Sequence, residues 1–190
     1  ASASWDRSVR LWDVRSGVLL EKLEGHGAAV WDVAYSPEGS LLASVGDDRH
    51  LKLWRVEPVR PVLAGDGQGY VWAIRFSPDS SQAVVAGADG IIRLWDTRTG
   101  EVRARLKGHA DVVAEVDVSR DGKTLVSAGY DRTARVWDLT TAREVRRIDA
   151  HQGFVRSVAL APDGVLLATA SHDGTLALWD LASGGERLRV

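Results

Sequence analysis

One six-residue phrase recurs five times, as SVRLWD at Ser8 to Asp13, HLKLWR at His50 to Arg55, IIRLWD at Ile91 to Asp96, TARVWD at Thr133 to Asp138 and TLALWD at Thr175 to Asp180. Its tryptophans are Trp12, Trp54, Trp95, Trp137 and Trp179, spaced by 42, 41, 42 and 42 residues. A period this regular restricts the chain to serial copies of one small unit, each burying its apolar surface on the next. Residues 1–25 read as the remnant of a unit, and full units follow at 26–66, 67–108, 109–150 and 151–190. The opening ASAS copies the middle of a unit, as LLAS, LVSA and LATA do later, so we expect the chain to begin inside one.

Within a unit, apolar runs alternate with turn chemistry. The second unit reads VWDVAY, SPEGS, LLASVG, DDR and HLKLWRV, and the first turn returns as SPDS, SRDG and APDG. Proline, aspartate and glycine preset such turns, and a fourth run such as EVRARL or REVRRI follows each tryptophan run through a polar link. Four short antiparallel strands per unit are expected. Apolar residues sit on both faces of these strands, as with Leu94 beside Trp95 and Leu178 beside Trp179. Each small sheet therefore needs a neighbour on both sides. With Gly25-His26 and Gly108-His109 opening units, and Trp-Asp closing four of the five tryptophan strands, the whole chain resembles the WD40 repeat family. The resemblance implies an all-β β-propeller segment of four full four-stranded blades plus a three-stranded partial blade, in an incomplete ring.

That family ties each blade with a hydrogen-bonded tetrad of His, Ser or Thr, Asp and Trp. The resemblance places three complete structural tetrads here: His26, Ser44, Asp48 and Trp54; His109, Ser127, Asp131 and Trp137; His151, Thr169, Asp173 and Trp179. The remnant keeps Ser2, Asp6 and Trp12. The unit from Gly67 departs from the pattern, with Gly67 or Gln68 at the histidine position and Val85 at the serine position. Asp89 and Trp95 should then lack partners, making Asp89 more solvated and that blade the softest.

Ser, His and Asp also compose a hydrolytic triad, but a triad is a single exposed constellation, and these residues repeat blade after blade beside a tryptophan. SHDGT is similar to the Asp-box of sialidase propellers but lacks the residue that motif needs between Asp and Gly. Asp47-Asp48 suggests a metal pair, yet Asp48 belongs to a tetrad and further ligands are absent at suitable spacing. We expect no catalytic residue, no metal and no cofactor, and therefore no enzyme.

A net charge of -2 offers no concentrated basic field for nucleic acid or an anionic membrane. Arg103, Arg105, Arg143, Arg146 and Arg147 fall on fourth strands, where charge discourages edge pairing, and no aromatic residues interleave them for base stacking. The absence of cysteine excludes disulfides and thiolate chemistry, and no apolar run reaches membrane length. A cytoplasmic setting is expected. Twenty arginines against four lysines, with abundant alanine, glycine and valine, fit a GC-rich bacterial genome.

Function then rests on the aromatics that the repeat leaves over, Trp5, Trp31 and Trp72. In the family, the residues flanking the first apolar residue of the innermost strand, and the residue before the turn Asp, line one rim of the channel. Carried over, these are Ala29 and Trp31, Tyr70 and Trp72, Val112 and Ala114, and Phe154 and Arg156, with Trp5, Asp47, Ala88, Tyr130 and His172 at the turns. The expected partner-binding rim is Trp5, Trp31, Asp47, Tyr70, Trp72, Tyr130, Phe154, Arg156 and His172, a composition suited to a protein or peptide partner. The alternative is an architectural or sensor segment of a larger signalling protein linked to a kinase or NTPase. Missing blades are expected from the parent chain or from another copy.

Overall fold

The computed structural model describes residues 1–57 and 69–190 in full and residues 59–66 by their backbone. Gly67 and Gln68, the histidine position of the third unit, lie outside the described residues.

Among the described residues the chain forms nineteen strands and no helix. The first sheet has three strands, Ser2–Ala3, Val9–Trp12 and Leu19–Leu23. The second contains Val30–Tyr35, Leu41–Gly46, His50–Val56 and Val59–Asp66, and the third Val71–Phe76, Gln82–Gly87, Ile91–Asp96 and Val102–Lys107. The fourth contains Val113–Val118, Thr124–Gly129, Thr133–Asp138 and Arg143–Asp149, and the fifth Val155–Leu160, Leu166–Ser171, Leu176–Asp180 and Glu186–Arg189. Strands follow chain order and pair antiparallel throughout, because each turn is too short for any other connection. The residue that closes the first turn has positive φ in each full unit: Gly39, Ser80, Gly122 and Gly164. Ser80 adopts at φ 59° a conformation that glycine takes without a steric cost.

Five sheets make four interfaces, and each interface has its own core. Trp54 packs among Val9, Leu11 and Leu23 of the first sheet, while Leu53, one residue earlier, faces Val71, Ile74 and Trp95 of the third. Leu94 with Trp137, and Val136 with Trp179, repeat the exchange at the next two interfaces. Trp54, Trp95, Trp137 and Trp179 thus pack backward, and the neighbours of the first three forward, as strand alternation requires. Successive sheets meet mainly through their first strands, so these are innermost. Among the described residues the ring is open: the stack runs from the first sheet to the fifth, and neither end sheet is covered by another on its outer face. Trp12 is 41% exposed, whereas the other four anchors are 2–5% exposed. This all-β arc has the architecture of a partial β-propeller.

The aspartate after the tryptophan has a local task. Asp96 accepts the N–H groups of Arg98 and Thr99 and pairs with Arg103, which stands at a bulge in the fourth strand. The Thr99 N–H is the largest of the influences that hold its carboxyl down at about 2. Asp180 makes the matching pair with Arg187. Arg146 reaches the Ala182 and Ser183 carbonyls of the next unit, joining two sheets along their outer side. Arg103, Arg105, Arg143 and Arg147 are exposed.

Candidate binding rim

Three tetrads are connected in the same way. Trp54 Nε1 donates to Ser44 Oγ at 2.9 Å, Ser44 Oγ lies 2.8 Å from His26 Nε2, and His26 Nδ1 lies 2.8 Å from Asp48 Oδ2. The corresponding distances are 2.9, 2.7 and 3.0 Å for Trp137, Ser127, His109 and Asp131, and 2.9, 2.8 and 3.1 Å for Trp179, Thr169, His151 and Asp173. An ionised carboxylate can only accept, so Nδ1 carries the ring proton and Nε2 accepts from the hydroxyl. Burial favours this neutral ring at His26 by pushing its pKa below 6.5 against the pull of Asp48. At Asp48, burial pushes the carboxyl up, but the N–H groups of Gly27 and His50 and the His26 ring outweigh it and hold the carboxyl low. Asp131 is held low in the same way by His109, Thr133 and the Ala110 N–H. The hydroxyls complete a triad's connectivity but cannot attack a substrate. Ser44 and Ser127 are fully buried, Thr169 nearly so, and each already accepts from a tryptophan.

The remnant retains the bond from Trp12 Nε1 to Ser2 Oγ at 2.9 Å, and its Asp6 accepts from Ser8 and Arg10. The third sheet differs. Val85 pairs with Arg93 in the register where serine or threonine stands elsewhere, and among the described residues the buried Trp95 Nε1 has no acceptor. Asp89 is the most exposed of the four turn aspartates of the full units, at 23% against 8, 9 and 16%. It is not left without a partner, however, because Arg93 donates to both its oxygens at 2.6 and 3.2 Å. The expectation that Asp89 lacks a partner is thus corrected: a guanidinium four residues along the chain pairs with it.

Each turn aspartate follows a rim residue, so the tetrad that fixes the turn also sets the rim. The N–H groups of Asp47, Ala88, Tyr130 and His172 donate to the carbonyls of Ala29, Tyr70, Val112 and Phe154 at 2.8–2.9 Å. Beside these bonds the innermost strand bulges. Val30 pairs with Gly46 but Asp32 with Val45, which leaves Trp31 unpaired, and the same shift frees Trp72, Ala114 and Arg156 in the next three sheets. A bulge re-aims the side chain of its extra residue. Glycine at position 87 permits the close approach, since a Cβ there would stand 2.0 Å from the Tyr70 carbonyl oxygen.

The re-aimed side chains meet in one line. Trp5 packs edge-on to Trp31 at 5.5 Å between ring centroids, Trp31 lies 6.1 Å from Trp72, and Trp72 meets Tyr130 edge-on at 5.4 Å. Tyr130 stacks on Phe154 at 4.6 Å, and Phe154 lies 5.9 Å from His172. Arg156 sits 5.7 Å from the Trp72 centroid and 5.5 Å from that of Tyr130, and it donates to the Tyr130 hydroxyl. Trp31 Nε1 donates to Asp47 at 2.5 Å. Trp5 is 74% exposed, and Trp31 and Phe154 are each 42% exposed. Trp72 is half-buried, and its Nε1 has no partner among the described residues. Tyr70 is exposed and makes no ring contact among the described residues, so it stands apart from this line.

Below the rim lies a network that sequence reasoning did not find. Asp32 accepts the Ile74 N–H and an Arg75 N–H at 3.0 Å each. Arg75 also donates to Glu115 at 2.9 Å, and Glu115 accepts from Ser157 Oγ at 2.5 Å and the Val158 N–H at 3.2 Å. Asp117 accepts the Leu160 N–H at 2.8 Å. These side chains stitch four consecutive innermost strands. Thr133 and Thr175 extend two tetrads, each bonding its turn aspartate at 2.7 Å. The D-x-T spacing in YDRT and HDGT signals them. Among the described residues no group of three or more His, Asp or Glu side chains is placed to hold a metal ion.

The family model for the WD domain, G-beta repeat, matches residues 1–13, 17–55, 59–96, 100–138 and 142–180, each match ending just after an anchor tryptophan. Nuclear distribution protein PAC1 of Arthroderma benhamiae is 46% identical over 61 residues, covering 32% of this chain and 13% of that protein. Small ribosomal subunit protein RACK1y of Oryza sativa subsp. japonica is 53% identical over 53 residues, 28% of this chain and 16% of its own. Coronin-7 of Mus musculus is 39% identical over 69 residues, 35% of this chain and 7% of its own. The matched stretch spans a small part of each relative, and none of the three is bacterial. With the repeat model covering most of its length and a four-stranded sheet in each full unit, the chain belongs to the WD40 repeat family.

Proposed function

We propose that this chain is a non-enzymatic scaffold whose rim binds a segment of another protein. The observation that carries the reading is the unbroken line of rings from Trp5 through Trp31, Trp72, Tyr130 and Phe154 to His172, much of it open to solvent. Clustered Trp, Tyr and Arg side chains supply large rigid contact area at small entropic cost, which is the composition of an interface hot spot. The tetrads act as structure, holding the turns that present Asp47, Tyr130 and His172. The name of one relative, a protein of the small ribosomal subunit, accords with work inside an assembly. A cytoplasmic location belongs to the same proposal and rests on composition alone. So does a fuller ring, in which blades of the parent chain or of a second copy cover Trp12.

The test is selection of linear peptides from a random displayed library on the immobilised chain. Trp31→Ala is expected to weaken the selected peptides by about 2 kcal/mol or more with an unchanged melting curve. Trp72→Ala, at the half-buried ring, should weaken them as much and lose some stability. Normal binding by both variants would place the partner on another face.

A further inference from the structure

Arg156 differs from the carboxylate-paired arginines of the chain in how it is held. Arg75, also on an innermost strand, is neutralised between Asp32 and Glu115, and Arg10, Arg93, Arg103, Arg135 and Arg187 each pair with a carboxylate. Arg156 has no carboxylate partner among the described residues, yet it is immobilised against two rings and the Tyr130 hydroxyl. The carboxylates of the inner strands are occupied with Arg75, Ser157 and the N–H groups of Ile74, Val158 and Leu160. Asp47, on the rim itself, is bonded to Trp31.

We propose that Arg156 is the receptor for a side-chain carboxylate on the bound segment, and that an aromatic or large apolar residue two positions away along that segment lies against Trp31 and Trp72. The proposal rests on the rim reading above and names the chemistry of its partner. A guanidinium stacked on a ring keeps its in-plane N–H groups available. With Nη1 turned to Tyr130, the Nε and Nη2 edge remains, two parallel donors that match the two oxygens of a carboxylate. Because the side chain is already fixed, binding loses little of its rotamer freedom. The spacing follows from distances on the rim. Arg156 lies 5.7 Å from the Trp72 ring, and Trp72 lies 6.1 Å from Trp31. Same-side residues of an extended segment are about 6.6 Å apart. An acidic residue over Arg156 therefore sets the residue two positions on over the tryptophans.

The experiment uses the full 190-residue chain and a random linear library fused through its C-terminus to a phage coat protein, so that only side chains offer a carboxylate. Sequencing is expected to return Asp or Glu two positions from Trp, Phe or Leu. Fluorescently labelled copies of the selected peptides should bind Arg156→Gln at least tenfold more weakly, and Asp→Asn or Glu→Gln in the peptide should cause a similar loss. The two changes together should lose no more than either alone, because they remove one contact. Arg156→Lys, which keeps the charge without the fork, should recover only part. Selected peptides without acidic residues, or equal binding by Arg156→Gln, would overturn the carboxylate proposal while leaving the rim reading intact. Failure to select any peptide, or selected peptides indifferent to Trp31→Ala, would overturn the rim reading and this proposal with it. If Arg156→Gln folds poorly, the peptide substitutions on the unaltered chain decide the matter alone.

Discussion

Trp95 and Trp137 occupy equivalent strands, are almost equally buried at 5% and 2%, and differ in one hydrogen bond. Trp137 donates to Ser127, whereas Trp95, with Val85 at the serine position, has no acceptor among the described residues. A buried donor without an acceptor costs about 1–3 kcal/mol. Substituting phenylalanine removes similar ring area at both sites, so the comparison isolates the N–H group. Trp95→Phe discards an unsatisfied donor, while Trp137→Phe discards a satisfied one and weakens the chain running through Ser127 to His109 and Asp131. Trp137→Phe is therefore expected to be the more destabilising by about 1–2 kcal/mol in urea melts. Equal midpoints for the two variants would show that the hydrogen-bonded chain adds nothing beyond packing.

At the scale of elements, the tetrads organise single sheets, and carboxylates join one sheet to the next. Glu115 is the busiest of these, accepting from Arg75 of the preceding innermost strand and from Ser157 and Val158 of the following one. Glu115→Ala leaves the Val158 N–H and the Arg75 guanidinium short of an acceptor and should destabilise by about 1–3 kcal/mol. Glu115→Gln, which keeps one acceptor oxygen, should lose less. Amide hydrogen exchange gives the local readout: the Val158 N–H should exchange faster in Glu115→Ala, and unchanged protection there would sink the bridging role. The strands and their order were legible in the sequence because they obey short-range rules, namely turn chemistry and alternation, whereas the tetrad partners came from the resemblance to the WD40 repeat family. The bulges that aim Trp31, Trp72 and Arg156 were not legible, since a bulge is a property of two paired strands, although a recurrent glycine at positions 46, 87 and 129 marks its partner. The network through Asp32, Arg75 and Glu115 was hidden for a different reason. Its contacts span 40 to 43 residues, about one period, so a reading made unit by unit treats each polar residue of an inner strand as merely solvated. Asp89 escaped for a third reason, because its substitute partner Arg93 lies on the next strand of the same sheet.

For the whole molecule, the decisive quantity is the surface that stacking leaves uncovered. Trp54, Trp95, Trp137 and Trp179 each pack on the sheet before them, but Trp12 has no described sheet before it and is 41% exposed. Val18, Leu19 and Leu20 beside it are 57, 43 and 62% exposed. At the other end Leu176, Leu188 and Val190 are 41, 49 and 70% exposed. Burying a large apolar side chain fully contributes about 1.5–3 kcal/mol relative to leaving it in water, so each end face withholds several kcal/mol that a further sheet would supply. The fourth strand of the fifth sheet, Glu186–Arg189, is exposed along its whole length and adds open edge groups. The isolated 190-residue chain is accordingly expected to associate through its end faces. Light scattering should give a mass above 20.6 kDa that rises with concentration. Trp12→Glu, which places a charge on the uncovered face while leaving the four inner interfaces intact, should shift the population toward monomer. A chain that stays at 20.6 kDa at all concentrations and melts in one cooperative transition would show that the four inner cores suffice and that the end faces need no cover.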